Sequence, residues 1–416
     1  MSDALLSRVR DLLARDAVDE AKTLASAALA AAPRDAVAWY ARGIVENRRG
    51  DYRAAVEALQ KAIDLDPSAG LTWLVLGNAL TRLGDLPGAA RAYQTVVSRE
   101  PAWADARYNL GVVQKRQGDL ESAARAFHAA WSLDPMMFDA ARQCVSTLGE
   151  LVRRSGGCIA DAFTRSSAAA SYSFTIGVCS IDEARLERTT ALYRRLLASV
   201  PHEIVAIRNP ASLASAYNDI VQGSEADVVV LSHDDIDVLT GDFAARLSDA
   251  LDSFDAVGVV GTTKLAGPAI GWSGHPNLRG WIVHRPMDQE QWCADALHPT
   301  ARAANIVALD GVFLAAHRRV FVDVPFDVTT FDGFHLYDLD WSYRTSSRGY
   351  RLGVAGDLLL VHASRGNYAS EWERYAKRFW QKHRLTKRAP NASSFFGAAF
   401  GTAEEARRFF VLLARA

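Results

Sequence analysis

The chain has 416 residues, 47 basic and 48 acidic, a net charge of -1 and 49% hydrophobic residues. That is enough for two or three domains of ordinary globular composition, and near-neutrality argues against a protein whose main task is gripping nucleic acid through its phosphates. Its four cysteines (Cys144, Cys158, Cys179, Cys293) are widely spaced with no CxxC pair, which excludes a cysteine zinc site and suits buried thiols in a reducing compartment.

In chain order, the first half repeats. Pro33, Pro67, Pro101 and Pro135 share a step of 34 residues, as do Gly50-Asp51, Gly84-Asp85 and Gly118-Asp119. Gly43, Gly77 and Gly111 keep that step, and so do Ala55, Ala89 and Ala123. Trp39 and Trp73 match, with Arg107 in the third place. The pattern resembles the tetratricopeptide repeat, a pair of antiparallel helices per unit. Small residues admit close helix approach, Gly-Asp marks the turn, and Pro ends the second helix. Clear units are expected over 36–67, 70–101 and 104–135, a degenerate one over 2–33, and a capping helix over 136–154. The resulting solenoid would offer a concave groove for a protein segment, or serve dimerisation.

A Ser-, Ala- and Gly-rich stretch at 155–172 reads as a linker. After it the period changes. "SFTIGVCS", "HEIVAIRN", "ADVVVLSHDDID" and "AVGVVGTT" read as strands separated by helical spacing, which predicts a mostly parallel sheet covered on both faces. Ligands of such sheets sit at the carboxyl ends of the strands. Those ends carry Cys179-Ser180, Arg208-Asn209 and the run His233-Asp234-Asp235-Ile236-Asp237. Three carboxylates delivered by one apolar strand repel one another, and a hard divalent cation with oxygen ligands would offset that; an acidic loop leading into a helix is the plain alternative. Residues 266–285 read as a loop-rich wall, 370–384 as a basic amphipathic helix that closes over a diphosphate, packs on the sheet or rests on a membrane surface.

The order of these segments, with "AYNDI" before the acidic strand and "LDG" (309–311), "FDGFHLYDLDWSYR" (331–344), "GYRL" and "LLLVHAS" after it, resembles GT-A inverting glycosyltransferases of the large bacterial group that includes cellulose and chitin synthases. The resemblance covers about 174–385. It implies a DxD-like metal motif, in which Ser232 replaces the first acid and the frame stays open between Asp234 and a second reading with Asp235 and Asp237. It implies Asp338 as the base, Asp340 as the next acid, and His362 as a further metal ligand. Departures are Tyr337 where a Glu is usual and Gly333 where "FDE" is usual. Desolvation between Tyr337 and Trp341 would raise Asp338 toward the range of a working base. Asp338 could otherwise cap its helix, while Asp340 and Arg344, at i and i+4, suit an ion pair.

These readings predict an all-α tetratricopeptide solenoid (1–154), a linker (155–172), a GT-A mixed α/β domain (173–390) and a helical tail (391–416). The implied activity is metal-dependent inverting transfer of a sugar from a nucleotide sugar, with a UDP-sugar as expected donor and Mn²⁺ or Mg²⁺ as cofactor. Expected donor contacts are Cys179, Ser180, Arg208, Asn209, Asn218, His233, Asp234, Asp235, Asp310, Gly311 and Lys382; expected metal ligands are Asp234, Asp235, Asp237 and His362. The acceptor would be a protein held by the repeats. The alternatives are a lipid-linked or polysaccharide acceptor with repeats used for oligomerisation, and a non-catalytic scaffold. No apolar run approaches ~18 residues and the opening segment is charged throughout, so the expected location is cytoplasmic, or peripheral at the inner face of the membrane.

Overall fold

A computed structural model of the chain describes residues 2–154, 172–285, 290–364, 370–385 and 396–416. Cα packing divides the chain near Leu148; the expected linker falls almost entirely outside the described residues. Among the described residues, no helix is long and apolar enough to cross a membrane.

The amino-terminal unit is a run of helix pairs: α1 Ser2–Ala14 with α2 Val18–Ala31, α3 Ala36–Arg49 with α4 Tyr52–Leu65, α5 Gly70–Leu83 with α6 Leu86–Arg99, and α7 Ala104–Arg116 with α8 Leu120–Leu133, followed by α9 Phe138–Arg154. The repeated Gly-Asp is a helix stop joined to a helix start. Gly50, Gly84 and Gly118 take φ of 82°, 90° and 84°, the left-handed region that Gly enters at least cost. The next residue then caps the following helix: Asp51, Asp85 and Asp119 accept from the amides of Ala54, Gly88 and Ser122. A Cβ at Gly43, Gly77 or Gly111 would meet Leu59, Tyr93 or Phe127 at 2.5, 2.6 and 2.9 Å, so these glycines set the helix-pair spacing. Trp39 Nε1 donates to the Pro33 carbonyl at 2.8 Å and Trp73 Nε1 to Pro67 at 2.9 Å. Arg107 breaks the Trp series yet makes the same bond, Nε to the Pro101 carbonyl at 2.8 Å. The repeat therefore keeps a donor at this place, not an indole.

The second unit holds β1 Phe174–Ser180, α10 Glu183–Leu196, β2 His202–Arg208, α11 Leu213–Gly223, β3 Val228–Ser232, β4 Ile236–Val238, α12 Phe243–Ser253, β5 Ala256–Gly258 and β6 Val260–Thr262. It continues with β7 Leu278–His284, β8 Trp292–Ala296, β9 Arg302–Ile306, β10 Ala308–Leu309, β11 Phe313–His317, α13 Arg318–Asp323, α14 Tyr337–Ser347, β12 Leu352–Ala355, β13 Leu360–His362, α15 Ser370–His383, β14 Phe396–Phe400 and α16 Ala403–Arg415. The main sheet has the order β2-β1-β3-β11-β5-β12-β9. β1, β2 and β3 are parallel, and the all-buried pattern of β1 and β3 fits strands covered on both faces. One apolar cluster contains side chains of α10 and α12, the other those of α11, α13, α14 and α15.

Four expectations change here. The sheet is mixed, because β11 enters antiparallel between β3 and β5; its "FLAAH" carries the same apolar signature as a parallel strand. The segment "AVGVVGTT" is split, β5 joining the main sheet and β6 a second sheet of order β10-β6-β7-β13-β4. The supposed wall at 266–285 contains β7, a strand inside that second sheet, and the described part of the supposed helical tail holds β14, which pairs with β8, before α16.

Candidate active site

Two antiparallel pairings build the site. β11 lies against β3 with Phe313 opposite Ser232, so the 310–312 turn arrives beside the end of β3, and the His233 amide donates to the Val312 carbonyl at 3.1 Å. β13 lies against β4 with His362 opposite Ile236, and the Ala363 amide donates to the Asp235 carbonyl at 2.9 Å. The strand that ends in histidine thus docks on the acidic loop.

The result is a cluster of His233, Asp235 and His362 whose ligating atoms all lie within 4.8 Å of one another. His362 Nε2 stands 3.3 Å and His233 Nδ1 3.9 Å from Asp235 Oδ1. Burial pushes the Asp235 carboxyl up, but His362 and His233 outweigh that and hold it well below the usual range. Burial, then the charge of His362, pushes His233 down, toward the neutral imidazole that binds metals. An ionised carboxylate beside two imidazoles is a donor set that fits a divalent first-row cation. The expected acid at 232 is a fully buried serine whose hydroxyl donates to the His233 carbonyl at 2.9 Å; it holds the loop and offers no charge. Asp234 accepts from the Ser180 hydroxyl, which ties the loop to the end of β1. Asp237 is exposed and accepts from the Val238 amide at 2.8 Å. Of the three acids, only Asp235 shares the histidine cluster among the described residues.

Asp338 sits in the first turn of α14, with its Oδ2 accepting from the Gly311 amide at 2.7 Å. A Cβ at Gly311 would lie 2.6 Å from that oxygen, so the contact requires glycine. Burial, then the nearby Asp310 charge, pushes the Asp338 carboxyl up to about 7. The residue before it, Tyr337, places its hydroxyl 3.2 Å from His233 Nε2. Asp338 and the histidine cluster therefore belong to one locality.

Several expected site residues are committed elsewhere. Asp340 is fully buried and binds Arg344 at 2.7 Å, Lys382 at 2.6 Å and His383 at 2.8 Å, an ion-pair network that explains its place in the motif without chemistry. Lys382 also binds Asp327 at 2.7 Å, and Arg378 binds Asp332 at 2.6 Å, so these two cations of α15 are paired with acids of the domain. Arg208 is exposed and bidentate to Glu183. The Asn218 amide brackets Phe326, donating to its carbonyl at 3.0 Å and accepting from its amide at 2.9 Å. Cys179 is buried, which pushes its thiol up to about 12; Asn209 takes a φ of 49° and donates to the Ser180 carbonyl at 2.9 Å. Gly333 lies under the Tyr375 ring, whose hydroxyl donates to Asp332 at 2.9 Å; a longer side chain has no room there.

The residues that sequence reasoning missed are cations. A cleft of 580 Å³ borders the acidic loop and is lined by Arg188 and Arg195 of α10, Arg285, Trp292, Asp234 and Asp237. Arg285 stacks over Trp292 at 4.7 Å. Among the described residues, Arg188, Arg195 and Arg285 have no ion-pair partner. Arg188 and Arg195 lie seven apart, on one face of a helix; that spacing was the available signal.

A glycosyltransferase-like family model matches residues 175–383, and tetratricopeptide repeat models match 36–69 and 74–135. No curated protein matches the chain. Among solved structures, MamA 41-end from Desulfovibrio magneticus RS-1 is similar at 24% identity, covering 37% of this chain and 85% of that one with a TM-score of 0.34. YrrB, described as a tetratricopeptide protein with an unusual peptide-binding site, is 23% identical over 36% of this chain and 77% of its own, with a TM-score of 0.33. Pseudomonas aeruginosa pilF is 20% identical over 38% and 77%, with a TM-score of 0.34.

Proposed function

The chain belongs to the glycosyltransferase-like family, and from that premise we propose that it is a metal-dependent inverting glycosyltransferase that moves a sugar from a nucleotide-sugar donor to a hydroxyl of a protein held by the repeats. The observation that carries the reading is the joining of two functions in one locality. A carboxylate held near pH 7 by burial and by Asp310 stands on the residue next to Tyr337, which touches the His233, Asp235 and His362 cluster.

Inversion needs a base on the acceptor side and charge relief on the leaving diphosphate. Asp338 takes the acceptor hydroxyl's proton, and the Gly311 amide fixes its Oδ2. His233, Asp235 and His362 would hold a divalent cation, whose charge offsets that developing on the diphosphate. Arg188, Arg195 and Arg285, free of other carboxylates, are the cations we assign to the anionic side of the ligand. Lys382, spent on Asp327 and Asp340, leaves that role.

Incubating the purified full chain and Mn²⁺ with a panel of nucleotide sugars, then measuring released nucleotide, should single out one donor hydrolysed well above the rest. Release from none of them would leave the scaffold reading as the better one. The acceptor half of the proposal rests on the repeats. Deleting residues 1–154 should spare donor hydrolysis while lowering transfer to a protein acceptor by roughly 10²-fold, because the groove supplies effective concentration. Full transfer by the truncated protein would point to a glycan or lipid acceptor instead.

A further inference from the structure

Tyr337 stands where the family resemblance leads one to expect a glutamate, and its surroundings give the change a purpose. Its ring is 3% exposed, packed edge-on against Tyr217 with centroids 5.5 Å apart and against Phe326 at 6.0 Å. A hydroxyl buried among aromatic rings is costly unless bonded. This one reaches His233 Nε2 at 3.2 Å. Tyr217 is itself deeply buried.

An imidazole that binds a cation through one nitrogen needs its other nitrogen engaged, because that second bond fixes the tautomer and the ring plane. His233 shows the required division. Its Nδ1 faces Asp235, its Nε2 faces Tyr337. Where the Tyr337 oxygen accepts in that bond, Nε2 carries the hydrogen and Nδ1 keeps its lone pair for the side that faces Asp235. We propose that Tyr337 is a positioning residue that holds His233 as the Nε2–H tautomer and aims its Nδ1 lone pair at a cation shared with Asp235 and His362. A glutamate would bring a negative charge to a place walled by Tyr217 and Phe326; a tyrosine performs the same acceptance without one. Because Tyr337 and Asp338 are consecutive, the bond also ties the base to the metal ligands.

The inference rests on the metal reading above, so the experiment separates the two. Metal-free full-length protein is titrated with Mn²⁺, with free Mn²⁺ followed by electron paramagnetic resonance, for wild type and Tyr337→Phe. Phe retains the ring packing and removes only the hydroxyl. The variant should bind Mn²⁺ ~10–100-fold more weakly, with the same unfolding midpoint within about a degree. In parallel, ¹⁵N spectra of the imidazoles in metal-free wild type should show His233 as Nε2–H, and in Tyr337→Phe a mixture of tautomers. Equal Mn²⁺ affinities overturn the positioning role. So does a wild-type His233 with its hydrogen on Nδ1, a measurement that stands even if the variant fails to fold. A wild type that binds no Mn²⁺ overturns the metal reading instead, and the tautomer spectra then still decide whether Tyr337 fixes the ring.

Discussion

Asp338→Asn should leave donor binding intact and cut turnover by ~10²–10⁴-fold, the usual worth of a positioned base. Asn keeps the shape and can still accept from the Gly311 amide, so the loss reports basicity. In the wild type the rate should climb with pH through about 7 and then level, since only the ionised carboxylate accepts a proton. Asp310 helps raise that carboxyl, so Asp310→Asn should move the rising limb to lower pH. Stability moves the opposite way from activity. Unfolded, the carboxyl titrates near its ordinary ~4; folded, near 7. Between those values the folded state binds more protons than the unfolded one, so stability falls as pH rises from ~4 to ~7 and the penalty is complete above that. Asp338→Asn should therefore gain about 2 kcal/mol at pH 8, a shift discounted for partial exposure, and nothing at pH 4. Denaturant titrations at both values check it. Normal turnover in Asp338→Asn together with a dead Asp340→Asn would move the base to Asp340. The structure argues against that exchange: removing the Asp340 charge leaves Lys382, Arg344 and His383 without their shared acid, which should cost folding before it costs chemistry.

The helical repeats were legible because each signal is local. A glycine at positive φ followed by a capping Asp needs only neighbours in sequence, and the period makes every unit confirm the next. The parallel half of the sheet was legible for the same reason. β11 was not: its direction depends on the 308–313 chain reversal, and nothing in "FLAAH" records which neighbour it meets. The site followed the same division. Asp338 and His362 stood out by order of motifs. The meeting of Asp235 with His362 did not, because it depends on β13 docking on β4, a long-range pairing. Lys382 and Asn218 misled for a related cause. Each has chemistry suited to phosphate or nucleotide, and each meets a partner far along the chain, at Asp327 and Phe326, that fills that chemistry first.

Removing metal should have an effect of the same order as removing the base. Excess EDTA should lower nucleotide-sugar turnover by ~10³-fold or more, as the charge relief at issue is several kcal/mol. Mn²⁺ should restore it better than Mg²⁺, because two imidazoles and one carboxylate suit a first-row transition ion, whereas Mg²⁺ favours oxygen ligands throughout. Among variants, Asp235→Ala and His362→Ala should match the EDTA-treated enzyme. Asp237→Ala should stay within a few-fold of wild type, since that exposed carboxylate accepts from the neighbouring Val238 amide. Asp234→Ala should fall between, because its loss frees Ser180 and loosens the loop without removing a donor atom. Acid should mimic EDTA: burial already favours neutral His233, so protonation begins only at lower pH than for an ordinary imidazole, and metal affinity should drop there. Turnover that persists undiminished in EDTA would show that the cluster stabilises the β4–β13 contact alone, with the arginines of the cleft left to balance the diphosphate. A reversed ranking, Asp237→Ala dead and Asp235→Ala active, would restore the DxD frame that ends at Asp237.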